Sequence, residues 1–137
     1  MAPTLARSST VIWLCAALSI TVACEDPIVP LRSENNVTVT NQPGLFRFYA
    51  NNLDNVLDDT AFTWVSADSQ ATVLHRSLVT HGEADMLIRD ANGAIIATSP
   101  LVYDVDSLTS KGAPGPWTIE FHIKAATGKI DVTVETP

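Results

Sequence analysis

Trp117-Thr118-Ile119-Glu120-Phe121-His122-Ile123, followed shortly by Ile130-Asp131-Val132-Thr133-Val134, is the part of this 137-residue chain that decides its fold. In both runs apolar and polar side chains alternate, the period of a strand with one face buried and one wet. Trp117, Ile119, Phe121 and Ile123 then share one face, and Ile130, Val132 and Val134 share one face of the last strand. Between the runs, Lys124 to Lys129 (KAATGK) predicts a hairpin with the four-residue loop Ala125 to Gly128. Gly128 takes positive φ there, Phe121 opposes Val132, and His122 opposes Asp131. Trp117 belongs in the core.

The same period extends back through the chain. Val37 and Val39 alternate with Thr38 and Thr40, Phe46 and Phe48 with Arg47 and Tyr49, and Phe62 and Trp64 flank Thr63. Ala84, Met86 and Ile88 oppose Glu83, Asp85 and Leu87. Turn chemistry separates the runs: Gln42-Pro43-Gly44 joins the first two strands, and Asp90-Ala91-Asn92-Gly93 carries the Asn-Gly pair of tight hairpins. Residues 107 to 116 (SLTSKGAPGP) form a loop whose prolines are excluded from central ladders. The pattern predicts an all-β domain over residues 37 to 137, an antiparallel sandwich of about seven to nine short strands, with a small β-barrel as the alternative.

Residues 111 to 134 (KGAPGPWTIEFHIKAATGKIDVTV) resemble the closing hairpin of the β-sandwich accessory domains attached to secreted bacterial proteases, the P-domain and pre-peptidase C-terminal groups. The shared features are a Gly-rich approach, a Trp opening an alternating strand and a Gly-containing turn. The resemblance implies a non-catalytic domain.

The N-terminus is of a different kind. Val11 to Ala23 (VIWLCAALSITVA) is an apolar run preceded by a mostly polar segment with Arg7. It is too short to span a bilayer comfortably, which takes about 20 apolar residues. Its length and flanks are those of a secretory signal peptide over residues 1 to 23. Thr21-Val22-Ala23-Cys24 resembles the lipobox of bacterial lipoproteins, whose cysteine is acylated and becomes the new N-terminus. That resemblance implies a lipid on Cys24 and a membrane anchor. In a two-membrane cell, Glu25 after the cysteine points to the periplasmic side of the outer membrane. Thr21 and Ala23 also satisfy ordinary signal cleavage at the same bond, which would instead release a soluble secreted protein. Residues 24 to 36, with Pro27 and Pro30, read as the lipidated cysteine and a tether.

Composition narrows the function classes. Past Ala23 the chain holds seven Lys and Arg against fifteen Asp and Glu, and the scattered acidic residues exclude a nucleic-acid surface. Cys24 is its sole cysteine, so no intrachain disulfide forms after processing. No nucleophile elbow, phosphate-cradling loop, zinc-protease motif or cofactor fingerprint is present. The expectation is a non-catalytic envelope lipoprotein, a binding or structural module for an envelope protein or glycan.

The alternative is a small calcium- or metal-dependent hydrolase or a calcium-binding domain. Asn51, Asn52, Asp54, Asn55, Asp58 and Asp59 crowd oxygen donors into what reads as one loop, with Asp54, Asp58 and Asp59 the calcium candidates. The same residue types build turns through their own backbone. His81, Glu83 and Asp85 alternate along one strand and share an outward face, but His81 and Asp85 would stand about 13 Å apart, too far for one zinc ion. Asp104 and Asp106 fall on one solvated strand face, and a serine triad can be assembled from His75 and a nearby Asp on paper alone. Trp64 and Trp117 read as core rather than as a sugar-stacking platform.

Overall fold

The computed structural model describes residues 27–137, so the signal peptide expected over residues 1 to 23 and the lipidation candidate Cys24 lie outside the described residues. Seven strands follow in order: β1 (Thr38–Gln42), β2 (Leu45–Ser66), β3 (Thr72–His75), β4 (Leu78–Arg89), β5 (Ile95–Pro100), β6 (Val105–Leu108) and β7 (Gly115–Glu135). Their pairings are all antiparallel, in a sheet not closed into a barrel.

Two of these strands are long, and their length dictates the architecture. A straight 22-residue β2 would reach roughly 70 Å at about 3.3 Å per residue, far beyond the span of a domain near 100 residues. Both β2 and β7 therefore bend midway and fold the sheet over on itself. The first layer holds β1, the first half of β2, the second half of β7, β3 and β6. The second holds the remaining halves of β2 and β7 with β4 and β5. This is an all-β sandwich whose layers share strands along one crease.

The crease is built from bulges, and the sequence shows how. Inward residues of β2 are two apart up to Ala50, then three apart at Leu53 and Val56, and two apart again at Phe62 and Trp64. Each three-residue step passes through an asparagine at positive φ, Asn52 and Asn55, both at 52°. Asparagine tolerates the left-handed region better than other residues with a Cβ, and the extra residue of a bulge bends the strand. In β7 the matching positions are Ala125 (φ 48°) and Gly128 (φ 134°). A Cβ on Gly128 would lie 2.0 Å from the Leu78 carbonyl oxygen, so this position requires glycine.

These bulges correct two expectations. The hairpin over Ala125 to Gly128 does not form: β7 runs through, and Phe121 pairs with Thr60 and Met86 while Val132 pairs with Phe48 and His75. Gly128 has the expected positive φ, but in a bulge, so the glycine turn in the accessory-domain likeness is part of one strand. The Asn/Asp loop over residues 51 to 59 is likewise a stretch of β2. A third correction concerns the tether. Val29 forms a parallel bridge with Val56, Leu31 donates its N–H to Asp58, and both side chains pack against the core. A 3-10 turn (Ser33–Asn35) follows, with Asn35 buried and donating to the Asn52 carbonyl. The described part of the tether from Val29 onward thus belongs to the folded domain.

Core composition follows the alternation. Phe46 and Phe48 of the first layer meet Phe62 and Phe121 of the second, with ring centroids from 4.4 to 6.4 Å apart. Trp64 and Trp117 meet edge to face at 5.7 Å, both fully buried. Their indole N–H groups donate to the carbonyls of Gln42 and Ala113, closing the end opposite the crease. Both hairpin turns read from the sequence are present, with Gly44 and Gly93 at positive φ. Val37 and Val39 depart from expectation: they lie at the edge of the first layer and are each 40% exposed.

Candidate functional site

Three groupings of polar side chains carry chemistry. The first lies on the outer face of the second layer, where β7 runs between β2 and β4. Register places Asp59 and Asp85 on either side of His122, and alternation turns Glu120 to the same face. His122 Nδ1 lies 2.9 Å from Asp59 and its Nε2 3.4 Å from Glu120, while Arg89 Nε donates to Glu120 at 2.9 Å. Because the two carboxylates engage opposite ring nitrogens, their oxygens do not converge on one point as a metal shell demands. The row is a surface ladder of polar contacts in which Arg89 and Glu120 form an ion pair.

A crevice of about 300 Å³ forms where the N-terminal segment docks onto the crease. Arg32, Glu34, Asn35, Asn52, Asp54 and Asn55 line it. Its size is at the lower end for small-molecule sites, which span about 300 to 1,000 Å³. Its donors and acceptors suit a polar ligand. Of the calcium candidates only Asp54 lines this crevice. Asp58 accepts the Leu31 N–H at 3.0 Å, and Asp59 faces His122. The structure therefore does not bring the three together.

The third grouping is interior. His75 on β3 is fully buried, and its Nε2 lies 2.8 Å from the Ser99 hydroxyl on β5. This contact joins the two layers. Nδ1 is buried with no hydrogen-bond partner among the described residues, so no carboxylate orients this ring as one orients a catalytic histidine. Burial holds the His75 imidazole below its ordinary pKa, against a smaller opposing pull from Asp104. The pair was legible only as polar residues at inward positions: Ala71, Val73, His75, Ser77 and Val79 are all buried on alternate positions.

The remaining sequence candidates separate. A bulge at Gly82 interrupts His81, Glu83 and Asp85, which pair with Thr127, Lys124 and His122. Glu83 lies 3.8 Å from Lys124. Among the described residues, no group of three or more His, Cys, Asp or Glu side chains is placed to hold a metal ion. Asp104 precedes β6 and lies 3.8 Å from Arg76, while Asp106 is within β6. Asp90 is a structural carboxylate that pattern reading missed. It accepts the N–H groups of Ala113, Asn92 and Ala94 at 2.7 to 3.0 Å, which hold its pKa below the usual carboxylate range. No protein-family model matches the chain, and no curated protein does.

Proposed function

We propose that this chain is an exported bacterial lipoprotein, anchored through acylated Cys24, whose β-sandwich is a non-catalytic binding or structural module of the cell envelope. The observation that carries the reading is the apolar run Val11 to Ala23 ending at Cys24, directly before a segment that enters the fold at Val29. An anchor at Cys24 would hold the crease end of the sandwich, with its polar crevice, toward the membrane.

Two features support a binding or structural role. The chemistry-bearing side chains of the second layer are engaged with one another across strands, and His75 and Ser99 are enclosed between the layers. Polar groups from the N-terminal segment and the crease converge in the crevice. Its chemistry fits a sugar or a peptide, consistent with an envelope glycan or protein as partner.

Fractionation tests the anchor: the wild-type protein pellets with membranes, and Cys24→Ser is soluble or retains its leader. Wild-type protein in the soluble fraction would overturn it. Cross-linking in intact cells through a photoreactive residue at position 34 tests the module. Specific adducts, diminished by Asp54→Lys, are expected, and turnover of a hydrolase substrate by the purified domain would refute the non-catalytic reading.

A further inference from the structure

The bond between His75 and Ser99 does more than fill the interior. A neutral imidazole has one N–H and one lone pair. With the N–H on Nε2, the ring donates to Ser99 and leaves a lone pair at Nδ1, the less costly atom to orphan. A second proton can go only to Nδ1. There it would be a buried donor without an acceptor and would bring a charge into an apolar interior.

The charged groups around the ring offer little relief. Arg76, the residue just after β3, opposes protonation, and Asp104 from the β5–β6 link favours it. The Asp104 side chain is 66% exposed and faces Arg76. Asp106 of β6 is exposed, and Asp131 of β7 is bound by Arg47, while β5 carries no charged residue. Release from the interior is the remaining route to solvation.

The topology decides which part gives way. Among the described strands β5 pairs only with β4, with one further backbone bond from Ser110 N–H to the Ile96 carbonyl, and β6 pairs only with β3, whereas β7 is laddered to β2, β3 and β4. Segments held on one side open at lower free energy than central ladders. Leu101, fully buried, and Ile96 lie in this limb.

We propose that His75 and Ser99 form an acid-released clasp: protonation of His75 frees the β5–β6 limb, uncovering Leu101, Ile96 and the edge of β3, while the β2–β7 ladder stays closed. Its physiological meaning rests on the envelope reading, because a compartment outside the cytoplasmic membrane follows the pH of its surroundings. The opening itself does not, so failure of the anchor test leaves it standing.

Hydrogen exchange of the processed protein at about pH 7.5 and about pH 5, either side of the free histidine value and corrected for intrinsic rates, tests the clasp. Protection over residues 95 to 108 is expected to fall about tenfold or more at the lower pH, with that over 117 to 123 retained. His75→Gln should remove most of this difference. Unchanged protection, a loss spread evenly over all strands, or the same loss in His75→Gln would overturn the proposal. If His75→Gln does not fold, the wild-type pattern is read beside the His75 titration by NMR, and protonation without opening of the limb overturns it.

Discussion

Replacing Trp117 by alanine removes one of the two indole rings at the closed end of the sandwich. The side chain is fully buried, lies edge-on to Trp64 at 5.7 Å, and donates its indole N–H to the Ala113 carbonyl at 2.7 Å. Loss of burial and the cavity left behind cost about 3 to 5 kcal/mol for such a truncation. The orphaned Ala113 carbonyl places the value toward the upper end, since an unmade buried hydrogen bond costs about 1 to 3 kcal/mol. With a urea slope of about 1 to 3 kcal/mol/M, the unfolding midpoint should fall by about 2 M with the slope unchanged. Trp117→Phe keeps most of the burial and should lose about half as much. Equilibrium unfolding followed by far-ultraviolet circular dichroism measures both variants. A loss below about 1 kcal/mol for Trp117→Ala would refute the placement of this ring in a close-packed core.

Gly128→Ala should destabilise by well over ~1 kcal/mol, because its Cβ would lie 2.0 Å from the Leu78 carbonyl oxygen, whereas Gly93→Ala, at similarly positive φ but with open space around it, should cost about 1 kcal/mol or less. Equal thermal shifts for the two would contradict the bulge geometry. Asp90 has a lowered folded pKa, so its contribution is complete above the unfolded value near ~3.9 and is lost as pH falls through the folded one. Asp90→Asn should flatten the acid limb of the stability profile, and an unchanged limb would count against its bonds to the Ala113, Asn92 and Ala94 amides. His75 shifts stability in the same sense but over a higher pH range. Its lowered pKa means the unfolded chain takes up the proton first, so stability begins to fall below about pH 6.5, and denaturant midpoints across that range should show the slope in wild type and lose it in His75→Gln.

Period two was enough to identify the two ends of β2, most of β4, both halves of β7 and the two tight turns, because those depend on residues adjacent in the chain, whereas no run was read for β3 and the valines beside and within β1 proved exposed. It could not separate a turn from a bulge. The inward phase changes between Ile123 and Ile130, and either a hairpin or extra residues within one strand produces that change. Spacing in β2 held the decisive hint: Ala50, Leu53 and Val56 step by three, each step through an asparagine, where donor-rich composition suggested a cation loop. The site was less legible still. Asp59 meets His122 and His75 meets Ser99 through the fold of the sheet, at sequence separations of 63 and 24, and no local pattern encodes such pairings. The docking of Val29 and Leu31 was hidden by the two flanking prolines, which bar a central ladder but permit a single bridge at a sheet edge.

Intact mass spectrometry of the protein isolated from its own membranes tests the central claim most directly. The account predicts a chain that begins at Cys24 and carries acyl groups on that residue. A mature chain with an unmodified Cys24, or one that retains residues 1 to 23, would contradict it.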